Sequence, residues 1–170
     1  MRILVDGYNL IAQLWGMGSD RRELARQRDA LVAYLGGYHA LRGNSVHVVF
    51  DGWREGDPLG GRDQAHGILV TYSPLGVTAD EVIRDLLAER GPGTLVVSGD
   101  RRVQGWARDA GAEAVEPAVF AARVAEARQE LPDVRDDDDG NRWDGSTVKR
   151  GNPRRLSRRE RALHTRLNKL

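Results

Sequence analysis

Acidic residues follow several strand-like segments of this sequence, at the point where each segment ends. Three of them are Asp6, Asp51 and Asp100. A fourth, Asp80, lies in the first turn of a predicted helix, with Glu81 beside it. Because the carboxyl ends of parallel strands meet at one edge of a sheet, where ligands bind, we expect these carboxylates to lie close together.

Carboxylates gathered in this way repel one another, and a divalent cation removes the conflict. Mg²⁺ takes oxygen ligands and keeps several of its waters, so a group of acids suits Mg²⁺ or Mn²⁺. The chain has no Cys and only four His, which argues against a thiolate or imidazole zinc site. Carboxylate-held Mg²⁺ or Mn²⁺ serves phosphoryl transfer or phosphodiester hydrolysis, in which the metal activates water and stabilises charge on the phosphate.

Each of these acids also has a purely structural interpretation. An Asp at a strand–loop junction is common, and the helix dipole alone favours an acid such as Asp80 in a first turn. Glu81 stands three residues after Thr78, which is the spacing of a capping box. Asp51 is as well suited to capping a loop as to supporting a metal. The sequence leaves both interpretations open for each acid.

Several polar side chains near the acids are candidates for contact with water or substrate. Asn9 could orient a water or a phosphate oxygen, and Ser98 could bind a metal-bound water or cap the next helix. The other candidates are Arg101, Arg102, Trp53 and Arg54. Arginines at a helix N-terminus suit a phosphate, and a loop Trp with an Arg suits a base and a phosphate. Solvated arginines and a hydrophobic anchor for the loop are the structural alternatives.

Strand-like runs and helical patterns alternate along residues 1–131. The predicted order is β-α-β-β-α-β-α-β-α, which indicates an α/β sandwich with a mostly parallel central sheet of about five strands. The predicted helices cover residues 20–41, 79–90, 101–110 and 117–131. The polar, glycine-rich segment 52–67 is predicted to be a loop.

The charge of the chain is divided between an acidic body and a basic tail. Residues 149–170 carry nine Lys or Arg and one acid, whereas residues 1–148 hold 17 basic and 24 acidic residues. Residues 132–148 include four consecutive Asp and are predicted to be a solvated linker. A basic tail favours a polyanionic partner, usually nucleic acid, although a solvated terminus is the alternative. Its candidates for phosphate contact are Lys149, Arg150, Arg154, Arg155, Arg158 and Arg159.

The composition also bears on the compartment. The absence of Cys excludes disulfides and thiol nucleophiles and fits a reducing environment. No apolar run approaches the length of a membrane span, and no apolar signal-like region stands near the start. We therefore expect a cytoplasmic protein without a membrane partner, and the oligomeric state stays open.

Four short motifs stand in a characteristic order along the chain: VDGYNLI, VVFD, TADEVI and VVSGD. In these motifs, residues 1–131 resemble the NYN-domain family of PIN-like nucleases, in its bacterial YacP-type branch. The resemblance implies a PIN-like three-layer α/β/α sandwich and a metal-dependent ribonuclease. It also implies that Asp6, Asp80 and Asp100 bind the metal, with Asn9 and Ser98 as close support.

The expected function is that of a Mg²⁺- or Mn²⁺-dependent endoribonuclease acting on mRNA or rRNA, including RNA at the ribosome. Asp51 or Glu81 would complete the metal shell through water. The alternatives are an RNA- or ribosome-binding module with an inactive site, another Mg²⁺-dependent phosphoryl-transfer enzyme, and a DNA nuclease. Only the resemblance favours RNA over DNA. A P-loop kinase is excluded because the chain lacks its phosphate-binding motif.

Overall fold

The computed structural model describes residues 1–52 and 60–130, all of which belong to the unit Met1–Val134. Trp53, Arg54, and the predicted linker and tail lie outside the described residues. Within the described part, no helix combines the length and the apolar character that a membrane crossing requires.

A six-stranded sheet forms the centre of the described part. The strands are β1 (Arg2–Asp6), β2 (Ser45–Phe50), β3 (Gly61–Ala65), β4 (Ile68–Tyr72), β5 (Thr94–Val97) and β6 (Glu113–Val115). Their order across the sheet is β3-β4-β2-β1-β5-β6. Strand β3 runs antiparallel to β4, and all other neighbouring strands are parallel. The predicted α/β class with a mostly parallel sheet is confirmed, with six strands rather than about five.

Helices cover both faces of this sheet. They are α1 (Gly7–Trp15), α2 (Arg21–Arg42), α3 (Ala79–Glu89), α4 (Arg101–Asp109) and α5 (Pro117–Gln129). Helices α1, α2 and α5 share one hydrophobic core with the sheet, and α3 and α4 share the other. Because both faces are covered, the central strands are apolar on both sides, as in β1, where Ile3 and Leu4 are fully buried. The predicted three-layer sandwich is confirmed.

Helix α1 was missed by the sequence analysis, which predicted no helix before residue 20. Its nine residues are bounded by glycines, and DGYN has the composition of a turn. In the structure, Gly7 is the first helical residue. A Cβ atom there would lie 2.2 Å from the ring of Phe50, so this glycine allows the helix to approach β2 closely. The glycine therefore serves packing rather than a turn.

The predicted loop over residues 52–67 is wrong for its second half, where β3 forms. Four of the five β3 residues are exposed, so the strand has no alternation of apolar and polar residues to reveal it. The turn between β3 and β4 consists of His66 and Gly67, both with positive φ (51° and 78°), as tight hairpins require. The hairpin packs against α2, where a Cβ at Gly36 would lie 2.4 Å from His66 Cβ.

Candidate active site

Four aspartates lie at the carboxyl ends of the central strands, and we call them the acidic edge: Asp6, Asp51, Asp80 and Asp100. Asp6 is the last residue of β1 and pairs in register with Val49 of β2, two positions before Asp51. Asp100 is the N-cap of α4, three residues beyond β5. Asp80 is the second residue of α3. Acids from four separate segments of the chain thus lie at the same end of the sheet.

Asp6 is buried, with 4% of its surface exposed, and both of its carboxylate oxygens accept hydrogen bonds. Oδ1 accepts from the backbone N–H of Asn9 at 3.1 Å. Oδ2 accepts from Asn9 Nδ2 at 2.5 Å and from Ser98 Oγ at 3.3 Å. The predicted supporting residues Asn9 and Ser98 therefore both contact Asp6, and they fix the orientation of its carboxylate.

Ser98 joins two parts of the acidic edge. Its side chain is fully buried. Its hydroxyl donates to Asp6 and accepts the backbone N–H of Asp100 at 3.1 Å. One serine therefore holds the end of β1 against the turn that leads into α4.

Asp51 and Asp100 each accept from the backbone at the start of a helix. Asp51 Oδ1 accepts from the N–H of Ala79 at 2.6 Å, which ties the end of β2 to the start of α3. Asp100 Oδ1 accepts from the N–H of Arg102 at 2.6 Å. These contacts satisfy helix N–H groups that have no partner within the helix. Among residues 1–52 and 60–130, no group donates a hydrogen bond to the second oxygen of either carboxylate.

Glu81 belongs to the capping box that the sequence predicted. Its carboxylate accepts from the backbone N–H of Thr78 at 2.9 Å, and its own N–H donates to Thr78 Oγ1 at 3.2 Å. The hydrogen bonds from Thr78 lower the pKa of Glu81. The structure thus engages Glu81 with the helix cap, and its predicted role as a metal ligand stays a prediction.

The acids of the acidic edge affect one another's pKa. Burial raises the pKa of Asp6 to about 6, and the charges of Asp80 and Asp51 add to the increase, while the hydrogen bonds from Asn9 oppose it. Burial also raises the pKa of Asp80, followed in size by the charges of Asp100 and Asp51. The nearby Arg102 lowers the pKa of Asp80. Like charges that disfavour one another's ionisation are the condition that a bound cation would relieve.

The donor chemistry of the acidic edge fits a hard divalent cation, but the side chains do not converge as closely as the sequence analysis expected. All candidate ligands are oxygen atoms, which Mg²⁺ prefers. Among residues 1–52 and 60–130, however, no three acidic or histidine side chains are grouped tightly enough to hold an ion. The contacts above give a reason, since the carboxylates of Asp6, Asp51 and Asp100 are each turned toward hydrogen-bond donors of the protein. A cation would need water ligands or rotation of these side chains.

The remaining predicted substrate residues have different positions. Arg101 and Arg102 are exposed in the first turn of α4, next to Asp100. Trp53, Arg54 and the six basic tail residues lie outside the described part of the chain. Their predicted contacts with substrate stay predictions.

Two residues near the acidic edge were missed by the sequence analysis. Gln104 of α4 donates from Nε2 to the backbone oxygen of Ser98 at 2.9 Å and to Glu116 Oε1 at 2.6 Å. Glu116 follows β6 directly, so the rule that selected the aspartates would also have found it. A Cβ at Gly99 would lie 3.1 Å from Asn9 Oδ1 and 3.6 Å from Glu116 Oε2, which places Glu116 at the rim of the site.

Comparison with known proteins gives a family match and solved structures with a similar fold. The family model for the YacP-like NYN domain matches residues 3–162. The crystal structure of Rae1 (YacP) from Bacillus subtilis is 26% identical, with a TM-score of 0.61 and coverage of 76% of each chain. A mutant of that protein gives 25% identity, a TM-score of 0.63, and coverage of 76% of this chain and 77% of the other. Among curated protein sequences, none matches significantly.

Proposed function

The chain belongs to the YacP-like NYN domain family, and from that premise we propose that it is a divalent-metal-dependent endoribonuclease. The family and the fold it shares with Rae1 (YacP) support a nuclease-type function related to RNA. The metal, the endonucleolytic mode and the target are the parts that the proposal adds.

One observation carries the proposal: a buried aspartate whose ionisation is opposed by further aspartates from distant segments. Asp6 is nearly inaccessible to solvent, yet the neighbours that affect its pKa include Asp80 and Asp51. Within the described residues, no basic side chain forms an ion pair with any member of the acidic edge. A fold that only needed a satisfied polar core would gain nothing from this concentration of like charge.

Asp6, Asp80 and Asp100 would hold Mg²⁺ or Mn²⁺, with Asp51 or Glu81 acting through water. When bound, such an ion lowers the pKa of a water and stabilises the charge that develops on the phosphate. We favour no particular ion of the two, because both accept oxygen ligands of this kind.

The residues of the chain supply the positioning. Asn9 fixes both oxygens of Asp6, and Ser98 holds Asp6 and the Asp100 turn at a set separation. Arg101 and Arg102 add positive charge beside Asp100, where a substrate phosphate would approach an otherwise acidic surface. Preorganised groups of this kind lower the reorganisation needed during phosphodiester hydrolysis.

We assign RNA as the substrate, in the cytoplasm, with mRNA or rRNA at the ribosome as the setting. The family supports RNA as the substrate, and a chain without Cys suits the reducing compartment that we propose. Ribosome association rests on the charge of residues 149–170 alone, which suits a large polyanion.

The test is cleavage of labelled cellular RNA by the purified full-length protein, with Mn²⁺, Mg²⁺ or EDTA, and with or without ribosomes, followed by mapping of new 5′ ends. We expect discrete cleavage that requires the metal and is lost in Asp6→Asn. A matched control is Asp109→Asn, which makes the same change at the far end of α4. Equal cleavage in EDTA, or by Asp6→Asn, would refute the proposal.

One observation favours a second candidate, an RNA-binding module without catalysis. Within the described residues the carboxylates do not group tightly enough to hold an ion as they stand. In that case Asp6→Asn and the wild-type protein would bind RNA equally, and neither would cleave it with any metal. The same experiment therefore separates the two candidates.

A further inference from the structure

Next to the acidic edge, the guanidinium groups of two arginines lie over the ring of a tryptophan on α4. The Arg102 guanidinium carbon lies 5.3 Å from the centroid of the Trp106 ring, and that of Arg84 lies 5.7 Å from it. Trp106 is half-buried and packs against the core shared by α3 and α4. Both distances are within the range of cation–π attraction. We call these three residues the Arg–Trp–Arg cluster.

The cluster continues from the acidic edge along the surface of α3 and α4. Arg84 lies four residues after Asp80 on α3, and Trp106 lies four residues after Arg102 on α4. Residues four apart are neighbours on one helix face, about 6 Å apart along the axis. The backbone N–H of Arg102 donates to Asp100 Oδ1 at 2.6 Å, so the cluster and the acidic edge are adjacent.

Arg102 is the member of the cluster whose hydrogen-bond donors are available. Its side chain is exposed and, among the described residues, forms no hydrogen bond or ion pair. A cation–π contact restricts the guanidinium without using its N–H groups. Arg84 differs, because its Nε and Nη2 both donate to Asp85 Oδ1, at 3.1 and 3.0 Å.

We propose that the Arg–Trp–Arg cluster is a subsite for a backbone phosphate of the RNA strand, adjacent to the bond that is cleaved. The inference rests on the proposed function, since it extends that site by one phosphate along α3 and α4. Arg102 binds the phosphate through its free fork of donors. Trp106 is a positioning residue that holds Arg102, and Arg84 adds a second, partly neutralised charge. Because backbone phosphates are the same at every nucleotide, the subsite contributes affinity without base preference.

The test measures binding of a labelled single-stranded RNA of about 12 nucleotides to the full-length protein, by fluorescence anisotropy across a salt series. EDTA is present throughout, so binding is separated from cleavage. Arg102→Gln should lower the slope of log affinity against log salt by about 0.7, the value for one phosphate contact on a single strand. At about 0.1 M salt this corresponds to roughly fivefold weaker binding.

Variants at Trp106 distinguish its positioning of Arg102 from its packing against the core. Trp106→Leu should lower the salt slope as Arg102→Gln does, whereas Trp106→Phe keeps an aromatic face and should restore most of it. The double variant of Arg102→Gln and Trp106→Leu should bind no more weakly than Arg102→Gln alone, because both changes remove the same contact. Thermal melts report the packing contribution of Trp106 independently of the salt slope.

Arg108→Gln is the matched control, since it removes one exposed charge from the last turn of the same helix. The inference is overturned if Arg108→Gln changes the slope as much as Arg102→Gln, or if Arg102→Gln leaves it unchanged. Arg102→Gln and Arg108→Gln are surface changes that leave the core intact. The comparison between them is therefore still valid if Trp106→Leu folds poorly. Cleavage by the wild type together with unchanged binding by Arg102→Gln would reject the subsite and keep the nuclease. If Arg102→Gln weakens binding but the wild type does not cleave RNA with Mn²⁺ or Mg²⁺, the phosphate contact is kept and the nuclease is rejected.

Discussion

Two titratable side chains are buried in neighbouring strands of the same sheet, and their surroundings differ in kind. His47 of β2 is 6% exposed, and its Nε2 lies 2.8 Å from Thr71 Oγ1 of β4. Burial lowers its pKa to about 4, so the ring is neutral near pH 7 and its hydrogen bond is with another neutral group. Asp6 of β1 is equally buried but stands at the end of its strand, among further acids.

A structural polar residue can be distinguished from a functional one by whether its surroundings favour a single charge state. At His47, burial and hydrogen bonding agree on one neutral state. At Asp6, the hydrogen bonds from Asn9 favour the anion, while burial and the charges of Asp80 and Asp51 oppose it. Opposing influences on one pKa are typical of a functional site. Variants of the acidic edge and of His47 should therefore differ in cleavage and in the dependence of stability on pH.

The largest effect should be on cleavage. Asp100→Asn keeps a good N-cap for α4 but removes one charge from the acidic edge, so we expect RNA cleavage to fall by at least about 100-fold. His47→Gln, in the interior of the sheet, should leave cleavage unchanged. Cleavage rates on one RNA substrate, with thermal melts of both variants, provide the measurement. Comparable losses in the two variants would remove the distinction between the edge and the interior.

The next effect concerns the stability cost of Asp6. Its folded pKa of about 6 lies above the ordinary value of 3.8, so the contribution of Asp6 to stability is greatest below pH 3.8 and is lost as the pH rises through 6. Without metal at pH 7, Asp6→Asn should therefore raise the free energy of unfolding by about 2–3 kcal/mol. Urea denaturation in EDTA at pH 7 and pH 4 measures this. The gain should vanish at pH 4, and a variant less stable than wild type at pH 7 would show that Asp6 is an ordinary structural residue.

His47 should produce the opposite dependence on pH. Its folded pKa of about 4 lies below the ordinary value of 6.5, so its contribution is complete above pH 6.5 and is lost as the pH falls toward 4. Between pH 7 and pH 5 the loss should be about 2 kcal/mol. As the pH falls over nearly the same interval, the contribution of Asp6 to stability increases. The free energy of unfolding of the wild type should therefore be almost independent of pH between 7 and 5.

Each single variant removes one of the two opposing contributions to the dependence of unfolding free energy on pH. In Asp6→Asn, the decline caused by His47 should become visible as the pH falls. In His47→Gln, stability should instead rise as the pH falls through 6. Urea titrations at half-unit pH steps provide the measurement, and parallel curves for both variants would contradict the assignment of the slopes to these residues.

The same contrast explains how far the sequence could be interpreted. A hydrophobic strand followed by Asp is a local signal, and it placed Asp6, Asp51 and Asp100 at one edge of the sheet, whose mostly parallel character was predicted. The orientations of the Asp6 and Asp51 carboxylates depend in part on hydrogen bonds with other segments, such as that between Ser98 and Asp6, and no local pattern encodes those. Strand β3 was missed for a related reason, because an edge strand exposed on both faces carries no hydrophobic period.

Helix α1 shows a further limit of local interpretation. Its first residue, Gly7, is required by the ring of Phe50, which lies 43 positions later in the sequence. A glycine after an aspartate has the appearance of a turn unless the distant partner is known. Trp106 was overlooked in the same way, since its contacts with Arg84 depend on how α3 and α4 pack.

The smallest effect should distinguish two adjacent acids of α3. Glu81 accepts hydrogen bonds from Thr78 in the capping box, whereas Asp80 has its pKa raised by Asp100 and Asp51. Gln replaces Glu well in a capping box, so Glu81→Gln should change cleavage by less than about twofold, while Asp80→Asn should reduce it strongly. Parallel cleavage assays at several Mn²⁺ concentrations make the comparison. If Glu81→Gln required much more Mn²⁺ for half-maximal cleavage, Glu81 would belong to the metal shell. It would then serve the metal as well as the helix cap.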